Sequence, residues 1–170
     1  MIVDTPSFGE VELLTLTSLS YEEKLKVLEM RNHLKVRSQM HGQDIIDEQG
    51  HLKFIESLQE SAEKQYFMVK HQKSIVGVIY FTDIDHNTQN AVFGVYANLY
   101  KKVDRAGSIL MESALAFFKK STKLKTINLE VFESNTIAKN LYIKFGFSLD
   151  KSFDKGSEKL ITMQLTKDDL

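Results

Sequence analysis

The sequence predicts a mixed α/β fold, in which helices flank a sheet that is mostly antiparallel. Apolar residues recur at helical spacing in four segments, and five further segments carry the β-branched and aromatic residues, bounded by turn residues, that mark strands. Their order is ααβββαβαβ. Three consecutive strands without an intervening helix favour an antiparallel front. The strand–helix–strand passages that follow favour one parallel pair, because parallel strands need a crossover connection.

The composition is that of an ordinary globular protein. The chain has 170 residues, 42% of them hydrophobic and 26% charged, and its formal net charge is −1. This length predicts one domain that spans residues 1–170. A charge so near zero argues against nucleic acid as a partner, and no apolar run approaches the roughly 20 residues that span a bilayer.

The absence of cysteine and the spacing of the histidines argue against several kinds of functional site. The chain contains no cysteine, so a disulfide framework, a thiolate zinc site and a cysteine nucleophile are not expected. His33, His71 and His86 have no metal-ligand spacing, and we expect no metal. The first residues, MIVDTPSFGEVEL, lack the basic head and apolar stretch of a signal peptide, which makes cytoplasm the expected location.

Two helices are predicted in the first third of the chain. Ser20-Tyr21-Glu22-Glu23 has the form of a capping box, and the helix that it opens runs to about His33. A polar, irregular stretch follows, and a second helix is predicted from Asp47 to about Leu58. The residues expected on the core side of the first helix are Tyr21, Leu25, Val27 and Leu28.

Strand signals begin with a hairpin. Its strands are predicted over residues 66–70 and 75–84, joined by the polar turn HQKS, and a third strand over 91–98 follows. Helices and strands alternate from there on. The remaining predicted elements are a helix over 108–120, a strand over 126–132, a helix from Asn135 to about Phe145 with Gly146 as its C-cap, and a strand over 158–165.

The junction between strand 91–98 and helix 108–120 has the form of an anion-binding site. A short loop with a glycine at the helix start presents free backbone N–H groups and the positive end of the helix dipole. Such a site can hold a pyrophosphate. The alternative is a plain connection in which Gly107 is a turn residue.

The second half of the chain resembles the GNAT family of acetyl-CoA-dependent N-acetyltransferases. The resemblance lies in the two strand–loop–helix junctions and in the closing residues Tyr142 and Phe145-Gly146-Phe147. The family loop Gln/Arg-x-x-Gly-x-Gly/Ala corresponds to Lys102-Val103-Asp104-Arg105-Ala106-Gly107. Lys102 takes the Gln/Arg position, and Arg105 replaces the first glycine. The resemblance implies a GNAT fold, with a splayed pair of strands that bind acetyl-CoA as co-substrate.

The resemblance also implies roles for the cofactor residues. Arg105 fits the loop if it keeps a negative φ and still offers its N–H, and its guanidinium is then expected to pair with a phosphate. The strand Phe93-Gly94-Val95-Tyr96 corresponds to the one that binds the pantetheine arm, and the N–H after Val95 would face the thioester oxygen. The residues implied to bind acetyl-CoA are Phe93, Val95, Lys102, Arg105, Ala106, Gly107, Ser108, Asn135 and Tyr142.

Glu130 and Tyr142 are the candidate catalytic residues. Glu130 interrupts an apolar strand, where a carboxylate is costly unless it meets solvent, a ligand or a partner. By the resemblance it borders the acceptor cleft and takes the proton of the amine, through a water or relay. A charge that anchors a local polar network is the alternative. Tyr142 matches the tyrosine that protonates the leaving thiolate, with a core aromatic as the alternative.

N-terminal motifs indicate one branch of the family. Met30-Arg31-Asn32-His33 and His51-Leu52-Lys53-Phe54-Ile55, in this order, resemble the bacterial N-acetyltransferases of pseudaminic acid biosynthesis, which serve flagellin glycosylation. That branch acetylates the 4-amino group of a UDP-linked 4-amino-4,6-dideoxy-N-acetyl-altrosamine. The implied substrate-binding residues are Arg31, His51, Thr82 and Tyr96 for the nucleotide, and Met40, Phe54 and Glu130, with His41, for the sugar.

Each of these assignments has a structural alternative. Arg31 near a helix end can simply satisfy the dipole, His51 can be a surface residue, and Met40 and Phe54 can be ordinary core. Two other functions fit the pattern less well: an acetyltransferase for protein N-termini, and a non-catalytic CoA-binding module. A homodimer is an expectation taken from the family.

Overall fold

Eight strands form one sheet in the order β1-β2-β3-β4-β5-β6-β8-β7 in the computed structural model, which describes residues 1–170. Only β5 and β6 run parallel to each other. The strands are β1 (Ile2–Thr5), β2 (Gly9–Thr15), β3 (Gln65–His71), β4 (Ser74–Asp85), β5 (Asn90–Ala97), β6 (Thr126–Phe132), β7 (Ser148–Lys155) and β8 (Glu158–Thr166).

Five α-helices accompany the sheet. The capping box at Ser20 is confirmed, because its hydroxyl accepts the Glu23 N–H while the Glu23 carboxylate accepts the Ser20 N–H. Gly146, with a φ of 91°, follows the last helix. The helices are α1 (Tyr21–Asn32), α2 (Leu34–Arg37), α3 (Glu48–Ser57), α4 (Ala106–Lys120) and α5 (Thr136–Lys144).

The predicted fold class is confirmed, and the element order needs three additions. The N-terminal hairpin β1–β2, the short helix α2 and the strand β7 are missing from the predicted order. The stretch after α1 is therefore not wholly irregular. The antiparallel front and the single parallel pair agree with the prediction.

The two faces of the sheet carry different helices. α4 and α5 cover one face, where Leu110, Phe118 and Tyr142 pack on the strands. α1, α2 and α3 cover the other, where Val27 and Met30 are buried. Tyr21 is 55% exposed, so its predicted core position is wrong. It lies in the first turn of α1, where its hydroxyl donates to the carboxylate of Glu48 at 2.5 Å.

The chain lacks two kinds of feature. No helix is long and apolar enough to cross a membrane. No group of three or more histidine, aspartate or glutamate side chains lies close enough together to hold a metal ion.

Candidate active site

The strands β5 and β6 separate from each other near the middle of the sheet. They pair only at Asn90–Val92 and Thr126–Asn128, although β5 continues to Ala97 and β6 to Phe132. Beyond the paired residues each strand keeps its other neighbour, β4 or β8. The divergence leaves an opening within the sheet, which we name the β5–β6 gap.

Backbone groups of β5 face this gap without a partner strand. The Asn98 N–H donates to the Val76 carbonyl of β4 at 2.8 Å, and successive residues of an antiparallel strand point their backbone groups in alternate directions. The N–H groups of Val95 and Phe93 therefore point into the gap, and that of Tyr96 points to β4. The N–H after Val95, which was predicted to face the thioester oxygen, therefore points away from the gap, and the Val95 N–H points into it.

The loop before α4 ends in a cluster of unpaired N–H groups. The N–H groups of Arg105, Gly107 and Ser108 have no hydrogen-bond partner within the chain. They lie at the N-terminus of a helix of 15 residues, whose dipole adds positive potential. Gly107 is not a turn residue, because it lies in the first turn of α4. A Cβ there would lie 3.0 Å from Leu141 of α5, so the glycine lets the two helices approach.

Arg105 departs from the backbone conformation expected for it, whereas the expected pairing of its guanidinium with a phosphate stays a prediction. Its backbone is left-handed, with φ 55° and ψ 29°, so the expected negative φ is wrong and the position keeps the conformation that favours glycine. Its guanidinium lies 4.6 Å from the centroid of the Phe8 ring, in the turn between β1 and β2. An aromatic face therefore holds the cation that was expected to pair with a phosphate.

Two substitutions at Arg105 separate backbone strain from side-chain contact. Arg105→Ala keeps the left-handed non-glycine residue and loses Phe8, so we expect the free energy of unfolding to fall by about 0.5–1 kcal/mol. Arg105→Gly loses the same contact but relieves about 1 kcal/mol of backbone strain, and we expect nearly unchanged stability. Urea unfolding measures both variants, and equal losses would contradict the expectation.

Glu130 lies level with Gly94 on the opposite side of the gap. The register that pairs Val92 with Asn128 brings these two residues level two positions further on. The Glu130 side chain is 40% exposed, on the sheet face that α1 to α3 cover. Its Oε2 contacts His41 Nε2, whereas Oε1 has no partner within the chain. Glu130 therefore anchors a local polar network through Oε2 only, and Oε1 is free to bind a ligand.

His41 joins Glu130 to a lysine of β7. Lys155 Nζ lies 2.7 Å from His41 Nδ1. An ammonium can only donate and an ionised carboxylate can only accept. The two partners therefore assign the ring proton to Nε2, and Nδ1 accepts a hydrogen bond. Lys155 had no place among the predicted site residues, and His41 was expected only to line the sugar pocket.

Hydrogen bonds to residues before and after it in the chain hold the segment that carries His41. Residues 38–46, which we name the strap, cross from α2 to α3 over the face that Glu130 shares. Its carbonyls and side chains hold it to α1, α2 and α5. The contacts are Arg31 Nη2 to the Gly42 carbonyl at 2.9 Å, Arg37 Nη1 to the Gln43 carbonyl at 2.8 Å, and Asn135 Nδ2 to Gln39 Oε1 at 3.1 Å.

Tyr142 approaches the gap from the opposite face of the sheet. Its side chain is 8% exposed and its ring lies 5.8 Å from that of Phe147. Burial raises the pKa of Tyr142 above its ordinary value, and the nearby Tyr80 raises it further. The phenol is therefore protonated at neutral pH. Asn135, two turns earlier, accepts the Ala138 N–H at 3.2 Å and caps α5.

Three tyrosines form an aromatic wall beneath the strap. The rings of Tyr66 and Tyr80 stack at 4.9 Å, and those of Tyr80 and Tyr96 lie 6.4 Å apart. Burial raises the pKa of each hydroxyl, and the positive charge of Arg31 opposes the rise. One Arg31 nitrogen, Nη1, is buried without a partner. Met40 and Phe54 complete the wall through a contact of the Met40 sulfur with the Tyr80 hydroxyl at 3.8 Å and an edge-on packing of Phe54 against Tyr66.

Tyr80 reaches the gap because Gly94 has no side chain. The two residues are register partners on β4 and β5. A Cβ at Gly94 would lie 2.0 Å from the Tyr80 ring carbon that bears the hydroxyl. The phenol therefore lies across the backbone of β5, on the same face as Glu130, and Tyr80 and Tyr142 reach the gap from its two faces.

Two predicted substrate residues lie outside this arrangement. His51 is 4% exposed, and its Nε2 hydrogen-bonds with the Lys24 carbonyl at 2.9 Å, which joins α3 to α1. Burial lowers the pKa of His51 and favours the neutral ring. The surface-residue alternative for His51 is therefore wrong, and its contact with the nucleotide stays a prediction. Thr82 lies where the β4–β5 register shifts, and its hydroxyl donates to Asp83 at 3.3 Å.

Three residues that shape the site were not predicted from the sequence. Tyr80 could have been found by aligning the predicted strands 75–84 and 91–98, because their register sets it opposite Gly94. Lys155 lies in β7, whose residues are all exposed and show no apolar period. Phe8 lies in an N-terminal turn, and nothing in its local sequence points to Arg105.

Known proteins share this arrangement of elements. Residues 23–160 match the family described as Acetyltransferase (GNAT) domain. The chain is similar to the acetyltransferase PseH of Campylobacter jejuni, with 31% identity over 146 residues that cover 84% of this chain and 90% of PseH.

Solved structures give the same result. The crystal structure of Campylobacter jejuni N-acetyltransferase PseH in complex with acetyl coenzyme A has a TM-score of 0.71 and 27% identity, and the match covers 92% of this chain and 99% of that one. Spermidine N-acetyltransferase from Vibrio cholerae, solved with CoA and spermine, shares the fold with a TM-score of 0.83 at 17% identity, over 94% of this chain and 96% of that one.

Proposed function

The chain belongs to the GNAT family of acetyltransferases, and from that premise we propose that it acetylates the 4-amino group of a UDP-linked 4-amino-4,6-dideoxy-N-acetyl-altrosamine. Acetyl-CoA is the donor. The similarity to PseH supports the choice of acceptor and, with it, a place in pseudaminic acid biosynthesis. Both substrates bind together, and the amine attacks the thioester directly.

One observation carries the proposal. Glu130 keeps Oε1 free at the level where the β5–β6 gap begins to open, on the face that the strap and the aromatic wall cover. A carboxylate beside exposed backbone N–H groups can accept a proton from an amine while those groups stabilise charge on the thioester. Acyl transfer to an amine needs both of these elements.

On the donor side, the N–H groups before and within the first turn of α4 support binding of the CoA pyrophosphate. Lys102 is exposed beside them and adds positive charge. The backbone of Phe93 and Val95 would bind the pantetheine arm in the gap, where a strand would otherwise pair. Ala106, in the first turn of α4, and Asn135, the N-cap of α5, are the other residues proposed to bind acetyl-CoA.

The reaction follows from these positions. The acceptor ammonium gives a proton to the Glu130 relay, and the neutral amine attacks the carbonyl carbon. The electrons of the C=O bond move to oxygen, where the Val95 N–H stabilises the charge. Collapse reforms the carbonyl and breaks the C–S bond, while Tyr142 stabilises the leaving thiolate. The second proton of the attacking nitrogen passes to this thiolate and gives the CoA thiol. The products are the amide, CoA and a proton.

On the acceptor side, the pocket suits a small deoxy sugar. Met40 and Phe54 offer an apolar wall for the 6-methyl group, and Tyr96 stands at the back of the same wall. The unpaired Nη1 of Arg31 supports a contact with an anionic group such as the diphosphate. An extended peptide would need an open groove here, and the strap crosses that space.

A direct comparison of acceptors tests the proposal. We expect the enzyme to acetylate the UDP-linked 4-amino sugar, and to transfer at least about 10²-fold more slowly, in kcat/KM, to a peptide with a free N-terminal amine. Release of the CoA thiol and mass spectrometry of the acceptor measure both reactions. Acetylation of the peptide alone would contradict the sugar acceptor and keep the reaction class. Binding of acetyl-CoA without any transfer would favour a non-catalytic module.

A further inference from the structure

We propose that His41 and Glu130 act as one proton-accepting pair, in which His41 Nδ1 takes the proton of the acceptor ammonium and Glu130 holds the ring. Lys155 occupies the acceptor's position while no acceptor is bound. The inference rests on the proposed function, because it assigns the group that stands between the amine and Glu130 in the same site.

The contacts of His41 define which nitrogen is the base. Glu130 Oε2 accepts from Nε2, so this nitrogen carries the ring proton. Nδ1 is then the only basic position, and its lone pair already receives a hydrogen bond from Lys155 Nζ at 2.7 Å. A carboxylate that holds the opposite nitrogen of a histidine fixes its tautomer and stabilises the imidazolium that forms when the ring takes a proton.

A contribution to folded stability does not explain why Glu130, His41 and Lys155 lie together. The side chains of His41 and Glu130 are 63% and 40% exposed. Even a full ion pair as open as this contributes only about 0–1 kcal/mol, so the hydrogen bond of a neutral ring to Glu130 adds little stability. Their exposure has a functional consequence instead, because a ligand can reach both the ring and the free Oε1. The strap holds the ring in place through contacts of its neighbours with Arg31, Arg37 and Asn135.

Lys155 presents the same chemical group as an amine acceptor. Its ammonium lies on the basic nitrogen of His41, as the protonated amine of a substrate would. All eight residues of β7 are exposed, so the lysine side chain can turn into solvent without opening the core. The ring of Phe132, 5.9 Å from Nζ, is its other neighbour.

The proton step balances without any further reactant. An acceptor R–NH₃⁺ displaces Lys155 and gives one proton to His41 Nδ1, which leaves R–NH₂ and an imidazolium paired with the Glu130 carboxylate. The nitrogen lone pair then forms the bond to the acetyl carbon. As the C–S bond breaks, the second proton of this nitrogen passes to the leaving sulfur, which gives the amide and the CoA thiol. The imidazolium releases its proton to solvent after the product leaves, and Lys155 returns to Nδ1.

The first test replaces His41 by a residue that keeps the shape but cannot take a proton. We expect His41→Gln, which can still donate to Glu130, to lower kcat for acetyl transfer by about 10²-fold and to leave the KM for acetyl-CoA unchanged. We also expect added imidazole to restore part of the rate of His41→Gly. A purely structural anchor would be rescued by glutamine and would not respond to imidazole. Wild-type rates in His41→Gln would overturn the proposal.

The second test concerns Lys155. We expect Lys155→Met to lower the acceptor KM severalfold, because no ammonium has to be displaced. Lys151→Met, on the same exposed strand, is the control and should leave kcat and the acceptor KM unchanged. An acceptor KM that stays constant or rises in Lys155→Met would overturn the assignment of this lysine.

The two proposals fail in distinguishable ways. The wild type is assayed first with the UDP-linked 4-amino sugar and with a peptide amine. Transfer to the peptide alone refutes the sugar acceptor, and the His41 and Lys155 variants are then measured with the peptide. Transfer to the sugar with an unaffected His41→Gln refutes only the His41–Glu130 pair. No transfer to either amine refutes both.

Discussion

Gly77→Ala is expected to lower the free energy of unfolding by about 3 kcal/mol or more, because the new methyl group has no room. A Cβ at Gly77 would lie 2.2 Å from the Tyr96 carbonyl oxygen and 2.9 Å from Ala97 Cα. Both are backbone atoms of the register partner strand β5, and they cannot move aside as a flexible side chain can. On the same side, Leu110 of α4 would lie 3.1 Å away.

The displacement should also reach the active site. Relief of the clash has to push β5 away from β4, and β5 carries the Val95 N–H that faces the gap. Urea unfolding of Gly77→Ala measures the loss of stability. Gly42→Ala is the control, because a Cβ there meets nothing within 4 Å, and we expect a change below about 0.5 kcal/mol. A loss below about 1 kcal/mol in Gly77→Ala would show that the two strands separate more easily than their register suggests.

The two faces of β6 were predictable because its residues alternate. Ile127, Leu129 and Val131 are buried on one face and Glu130 lies on the other, as the period-2 pattern requires. The placement of Glu130 on that face followed from the pattern alone. The roles of the gap and of the loop before α4 did not, because those came from the resemblance to a family.

The strand β7 was not predictable from its sequence. Its residues SLDKSFDK are all exposed, so no apolar period marks a buried face. Pairing with β8 holds it in the sheet, and a register shift between Leu149 and Lys151 changes which residues share a face. The position of Lys155 beside His41 depends on both facts, and neither has a signal in the local sequence.

Contacts between distant segments were also beyond the sequence patterns. His41 and Glu130 are 89 positions apart, and the strap that carries His41 has no regular structure of its own. Its path is set by hydrogen bonds from Arg31 and Arg37 to backbone carbonyls of the strap. Every residue has a backbone carbonyl, so the sequence does not indicate which ones are bound. The left-handed backbone of Arg105 is a further example, since only a glycine would have indicated it.

Tyr142→Phe is expected to lower kcat for acetyl transfer by about 10²-fold, with little change in the KM for acetyl-CoA. Burial raises the pKa of Tyr142, whereas a thiol ordinarily titrates near about 8.5. Full transfer of the phenol proton to the thiolate is therefore uphill. Donation of a hydrogen bond to the sulfur as the C–S bond breaks is not, and a hydrogen bond to a charged group is worth about 1.5–3 kcal/mol. This refines the predicted role, from a proton source to a donor that stabilises the leaving thiolate.

Folded stability separates this role from a structural one. The Tyr142 hydroxyl has no partner within the chain, so Tyr142→Phe should change the free energy of unfolding by less than about 0.5 kcal/mol while the rate falls. Tyr100→Phe, at a tyrosine that is 62% exposed, is the matched control and should alter neither quantity. A Tyr142→Phe enzyme that keeps the wild-type rate would assign the sulfur to another donor. Tyr80 would then be the group to replace next, because its phenol reaches the same gap from the other face of the sheet.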